Sequence, residues 1–313
     1  MRHPTTGVLL AAAVVLAATV AVAGPARAAG PSCGDVVAAD TTLTADLSCA
    51  GDALVVAAPG VTLDLGGHTV TGPGRRFDAF NTAVRVTAAD VTVKNGTIDE
   101  YVYGVVAVAP RAHVTGLRLV RTEVAGIFQS DGNRFRGNLV VEAATGVRME
   151  GDTNVTEGNA FRRTGLGVFT RGAGNRVAGN SITGVGHDVG IFVSSFSRAA
   201  KVSGNTVSGH AAAAGIFSTG DDTEVTGNRA FANLDGIIVS RGTVSGNLVL
   251  SNRRDGLLTA AGIFGGTVVV AANTAANNGE LGIRGGPGAV DGGGNRASGN
   301  GDARQCTVVV CSP

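Results

Sequence analysis

A unit of about 22 residues recurs along most of the chain, and no other feature restricts its fold as strongly. From Tyr103 onward a glycine followed by an aliphatic residue opens each unit, at Gly104-Val105, Gly126-Ile127, Gly146-Val147, Gly167-Val168, Gly190-Ile191, Gly215-Ile216, Gly236-Ile237, Gly256-Leu257 and Gly282-Ile283. A second mark, valine-x-Gly-Asn, falls inside the units at residues 177–180, 202–205, 225–228 and 244–247, with looser copies at Gly137-Asn138, Gly158-Asn159 and Gly294-Asn295. Apolar pieces such as Leu248-Val249-Leu250 follow the asparagine. Three strands of roughly 3 to 5 residues with their turns fill such a unit and leave no room for a helix. A leucine-rich repeat shares the period but needs a leucine scaffold that is absent here.

The expected fold is therefore all-β, a right-handed single-stranded parallel β-helix with three short strands per coil and about ten coils. Composition agrees, with 49 Gly, no Trp and only 4% aromatic residues. Coils stack about 4.8 Å apart, so equivalent positions become columns. The residue after each repeat glycine forms an aliphatic column that faces the interior. The column Asn138, Asn159, Asn180, Asn205, Asn228, Asn247, with Asn273 and Asn295 less regular, marks a sharp corner. Asparagine tolerates left-handed backbone and its amide bonds to the copies above and below, so this column reads as structural. Before Tyr103 the strands are looser, and an insertion at residues 72–81 either covers an end or overhangs a working surface. The tail at residues 307–310 is expected to cover the last open coil edge.

Residues 1–28 read as a secretory signal: Arg2 and His3, an apolar run over residues 8–23, then Ala26-Arg27-Ala28 before a cleavage point near Ala29. A membrane anchor is the rival, but the run is short and ends at Gly24-Pro25. Residues 29–313 then form one extracellular β-helix. Cysteines fall in two close pairs, Cys33 with Cys49 and Cys306 with Cys311, expected as one disulfide near each end. A net charge of +1 and a charged fraction of 16% argue against nucleic acid, and no basic amphipathic stretch suggests a membrane. A monomer is expected.

Residues 64–72, Asp-Leu-Gly-Gly-His-Thr-Val-Thr-Gly, behind the Cys33 to Cys49 opening, resemble an early-coil motif of the pectate-lyase-like and NosD-like β-helix proteins, notably the exported actinobacterial type. The resemblance spans the whole mature chain and implies fold, since that fold hosts lyases, hydrolases, epimerases, tailspikes and non-catalytic modules. Departures are plain. Gly220-Asp221-Asp222 leaves a strand where polygalacturonases have an Asp pair entering one, and the Gly-His-Gly, Arg-x-Lys and Asp-Pro-His segments of relatives are missing. The copper-linked branch finds little support in one mature Met and four His.

The position two after each repeat glycine holds Val106, Phe128, Arg148, Phe169, Phe192, Phe217, Ile238, Leu258 and Arg284, and strand alternation sends it outward. Sugar rings present apolar C–H faces, and the resemblance implies polysaccharide bound along this face, so Phe128, Phe169, Phe192 and Phe217 read as a sugar-binding stripe. An internal ring stack, or a stripe covered by a loop or protein partner, reads the same residues differently. Arg148, Glu150 and Arg171 suit a uronate carboxylate or form a solvated ion network. Asp235 and Asp255, each just before a repeat glycine, form an acid–base pair near His210 or serve as turn residues. Calcium among Asp221, Asp222 and Asp235 is the one cofactor suggested, although the spacing matches no calcium loop. The functional expectation is a polysaccharide-binding or polysaccharide-processing secreted protein; the rival is a non-catalytic adhesive protein whose stripe docks a protein.

Overall fold

The computed structural model describes residues 30–75, 80–260 and 265–313. The signal-peptide reading of residues 1–28 and the middle of the 72–81 insertion lie outside the described residues. Within them every regular element is a strand, and each strand pairs in parallel with its counterpart one coil away. The chain is a parallel β-helix, as the period requires. A typical coil runs Thr145–Met149 on face 1, Val155–Glu157 on face 2 and Ala160–Thr164 on face 3.

Face 1 has 13 strands, more than the ten coils expected. Nine carry the glycine mark, and four, Asp35–Val37, Leu54–Val56, Thr82–Val86 and Cys306–Thr307, lack it. Inside face 1, Val147, Val168, Ile191, Ile216, Ile237, Leu257 and Ile283 follow one another in register, and all are buried. Each such side chain contributes about 1.5–3 kcal/mol when fully withdrawn from water. The core they begin runs without interruption from Val37 to Val309.

One coil departs from the expected register. Gly126 pairs with Val147, Ile127 with Arg148 and Phe128 with Met149, so Phe128 points inward and is fully buried while Ile127 takes the outward position. The small residue that permits close approach of neighbouring coils is here Ala125: a Cβ on Gly104 would lie 2.4 Å from the Ala125 carbonyl oxygen. Phe128 instead packs 6.1 Å from Phe135, which in turn lies 6.3 Å from Phe161. Phe128 belongs to the core and not to the stripe.

The corner between faces 2 and 3 divides its work between two residues. Gly137, Gly158, Gly179, Gly204, Gly227 and Gly246 carry the left-handed backbone, with φ between 61° and 64°. The asparagine after each was expected to take that conformation; instead it turns inward and is buried. Asn205 is typical: its backbone N–H and its amide each donate to Asn228 Oδ1 at 2.9 Å, and the amide also donates to the Val177 carbonyl at 3.0 Å. Two more ladders follow the other corners, Asn133-Asn154-Asn175 and Asn233-Asn252-Asn278-Asn300.

Both expected disulfides are present, Cys33–Cys49 and Cys306–Cys311. The tail lies on the last coil, Cys306–Thr307 pairing with Ile283–Arg284 and Cys311–Ser312 with the strand Asn295–Ser298. No helix among the described residues is long and apolar enough to cross a membrane.

Candidate functional site

The outward register of face 1 reads Arg85, Val106, Ile127, Arg148, Phe169, Phe192, Phe217, Ile238, Leu258 and Arg284 from coil to coil. Three phenylalanines at its centre form a continuous surface: Phe169 meets Phe192 edge-on at 5.8 Å, and Phe192 stacks on Phe217 at 5.5 Å. All three are half-buried, their rings lying against neighbours. Ile238 and Leu258 extend this apolar track, and an arginine stands at each end.

The polar groups beside the track are ordered by contacts that the sequence did not specify. The Arg148 guanidinium lies 5.2 Å from the Phe169 ring centre and pairs with Glu150 at 2.5 Å. Arg171 does not join that pair; it lies over Phe196, 5.3 Å from the ring centre. Phe196 reaches the surface because the register shifts between Thr170 and Gly172, where Ser194, Ser195 and Phe196 stand opposite Arg171 alone. It is 75% exposed, an aromatic contact that repeat alignment hides because it sits in an insertion. At another edge the described ends of the 72–81 insertion approach face 1: Phe80 stacks on Tyr103 at 6.4 Å, and Arg75 donates to the Glu142 carbonyl at 3.3 Å.

Asp235 and Asp255 do lie on adjacent coils, at the entry to Ile237–Val239 and Leu257–Thr259. Both are buried. The Asp255 backbone N–H donates to Asp235 Oδ1 at 3.2 Å, and Arg284 donates to both Asp255 oxygens at 2.5 and 3.0 Å. Glu280 takes a further bond from Arg284 at 2.7 Å, and Arg254 stands 3.8 Å from Asp235. Burial pushes the Asp235 carboxyl above its usual range, only partly offset by Arg254. His210 is buried one coil earlier, its backbone N–H donating to Asn233 Oδ1 at 3.1 Å and its Nδ1 2.6 Å from the Asp188 carbonyl oxygen. It occupies the head of an asparagine ladder, and desolvation lowers its pKa. Asp221 pairs with Arg241 at 2.9 Å and Asp222 is exposed, both at the exit of a face-1 strand, whereas Asp235 stands at the entry of the next. The three do not converge, and no group of three or more His, Cys, Asp or Glu able to hold a metal occurs among the described residues.

A family model described as "Periplasmic copper-binding protein (NosD)" matches residues 82–255. Among solved structures, the Dettilon tailspike protein shares 14% identity at a TM-score of 0.54 over 88% of this chain, which spans 61% of the tailspike chain. DFA-IIIase from Arthrobacter chlorophenolicus A6, in complex with GF2, shares 14% identity at a TM-score of 0.51 over 76% of this chain and 70% of its own. At that identity the likeness is one of fold. Curated protein sequences give no match. Copper needs convergent thiolate, thioether or imidazole ligands. Here all four cysteines are closed in disulfides, Met149 is buried in the core, His210 heads a ladder, and His68 bonds Asp46 at 3.1 Å. The described residues do not fit a copper site.

Proposed function

We propose, for a chain that belongs to the NosD family, that it is an exported β-helix protein which binds polysaccharide along the outer face of its 13-stranded sheet. The observation that carries this reading is the run Phe169, Phe192, Phe217 on three successive coils, continued by Ile238 and Leu258. A half-exposed apolar track of this length fits the C–H faces of consecutive sugar rings. Export is supported by two disulfides, which persist in oxidising compartments.

Arg171 adds a finer feature. Among the described residues no carboxylate lies within ion-pair distance of it, whereas Arg148 is neutralised by Glu150. A guanidinium so placed beside stacked rings suits a uronate carboxylate, so pectate and alginate rank ahead of neutral glycans. The fold itself names no substrate.

Incubation of the purified protein with immobilised pectate, alginate and neutral glycans tests this. Retention on a glycan, strongest on the acidic polymers, is expected. New reducing ends or unsaturated termini would add turnover to binding. Failure to be retained on any glycan would overturn the reading and favour a protein partner on the stripe.

A further inference from the structure

On face 2 charged residues that meet in register are compensated. Lys94 lies 3.5 Å from Asp64, Arg136 2.6 Å from Glu157 and Lys201 3.3 Å from Glu224. Where Arg176 and Lys201 meet, each still reaches a carboxylate, Arg176 sharing Glu157 with Arg136 at 3.2 Å and Lys201 holding Glu224. One place breaks this order. His113 pairs in register with Arg134, and among the described residues no carboxylate comes within ion-pair distance of either. Asp90, the carboxylate whose charge acts on His113, is held through both oxygens by Arg111 at 2.6 and 2.7 Å.

Basic groups set directly opposite one another destabilise a sheet unless something lies between them. Here the surface is concave. A hollow of about 190 Å³ is lined by Thr92, His113, Val114, Thr115, Arg134 and Arg136. Its donors are the Arg134 guanidinium, the Thr92 and Thr115 hydroxyls and, once protonated, the His113 imidazole, while the Arg136 guanidinium is held by Glu157 at 2.6 Å. We infer that this hollow binds a tetrahedral oxyanion, either a free sulfate or phosphate ion or a sulfate ester carried on a polymer. Arg134, which has no carboxylate partner among the described residues, supplies permanent charge, Arg136 is already paired with Glu157, and His113 supplies charge that depends on pH.

The sign of that dependence follows from the neighbours. Burial and the cations Arg134 and Arg136 lower the His113 pKa, and Asp90 raises it only in part. Arg111 spends its charge on Asp90, and Lys94, in register with Thr115, is paired with Asp64. An anion in the hollow favours the charged imidazole, so binding strengthens as pH falls through the His113 midpoint, and bound anion moves that midpoint upward. The hollow lies on face 2, away from the phenylalanine stripe on face 1, so either site stands or falls without the other.

The test follows the His113 imidazole by NMR through a pH titration, in sodium sulfate and in sodium chloride at matched ionic strength. Sulfate is expected to raise the His113 midpoint above its value in chloride. Arg134→Gln, a change at an exposed residue, is expected to weaken sulfate binding about tenfold and to abolish the shift. Displacement of sulfate by dextran sulfate but not by dextran assigns the ligand as a polymer ester; displacement by neither assigns a free ion. Identical His113 titrations in sulfate and chloride, or a sulfate shift that survives Arg134→Gln, would overturn the inference.

Discussion

The asparagine column at the corner of faces 2 and 3 and the phenylalanine column on face 1 are both single residue types repeated from coil to coil. They differ in what surrounds them. Asn205 is 1% exposed and spends its amide and backbone N–H on Asn228 and Val177, so its repetition answers a need of the backbone. Phe192 stacks on its neighbours, is only half-buried and satisfies no such need. In a solenoid, then, repetition in a buried column marks how the coil is closed, and repetition in an open column marks what the surface does.

Phe128 sharpens this contrast, because it holds the same place after a glycine as Phe192 yet faces the other way. Phe128→Ala is expected to cost about 4 kcal/mol in denaturant unfolding, since it empties a core site beside Phe135, while the folded fraction still binds glycan. Asn205→Ala comes next, at about 3 kcal/mol, because the buried Asn180 backbone N–H loses its acceptor and the ladder is broken at that corner. A loss below about 1 kcal/mol there would break the account of the corner. Phe192→Ala with Phe217→Ala is expected to cost no more than about 1.5 kcal/mol by the same measurement and to remove glycan retention. A larger loss of stability would show that the stripe is a folding element after all.

The smallest effect is one of pH. His210 is buried, and desolvation holds its folded-state pKa below the ordinary value of about 6.5. As pH falls below 6.5 the unfolded chain takes up a proton first, so stability declines until the folded-state pKa is passed. The difference in melting temperature between pH 7 and pH 5 is expected to shrink in His210→Asn, which restores the ladder's common residue. An unchanged difference would assign the acid sensitivity to other groups.

Much of the fold was legible because a repeat writes the same physical demand many times. The aliphatic interior and both disulfides follow from residue type and spacing, and the Gly-Asn marks locate the corner, though the glycine and not the asparagine takes the left-handed backbone there. The two further ladders were legible too: Asn233, Asn252, Asn278 and Asn300 each fall five residues after an asparagine of the first column, and His210 falls five after Asn205. That spacing assigns His210 to a corner before any chemistry is considered. Phe128 was misplaced because Ala125 does the work of the repeat glycine, although the steady 21-residue interval from Gly104 through Ala125 to Gly146 marks the slip. Phe196 and the meeting of His113 with Arg134 were out of reach. The first depends on how an insertion bulges, and the second on which charges lack partners, and neither leaves a periodic trace.

Affinity electrophoresis in gels containing pectate or alginate, with three proteins side by side, puts the role of the open column to the most direct test. The parent chain and folded Phe128→Ala are expected to be retarded, and the variant carrying Phe192→Ala with Phe217→Ala to migrate as it does without glycan. Equal retardation of all three, or free migration of the parent chain, would contradict the account.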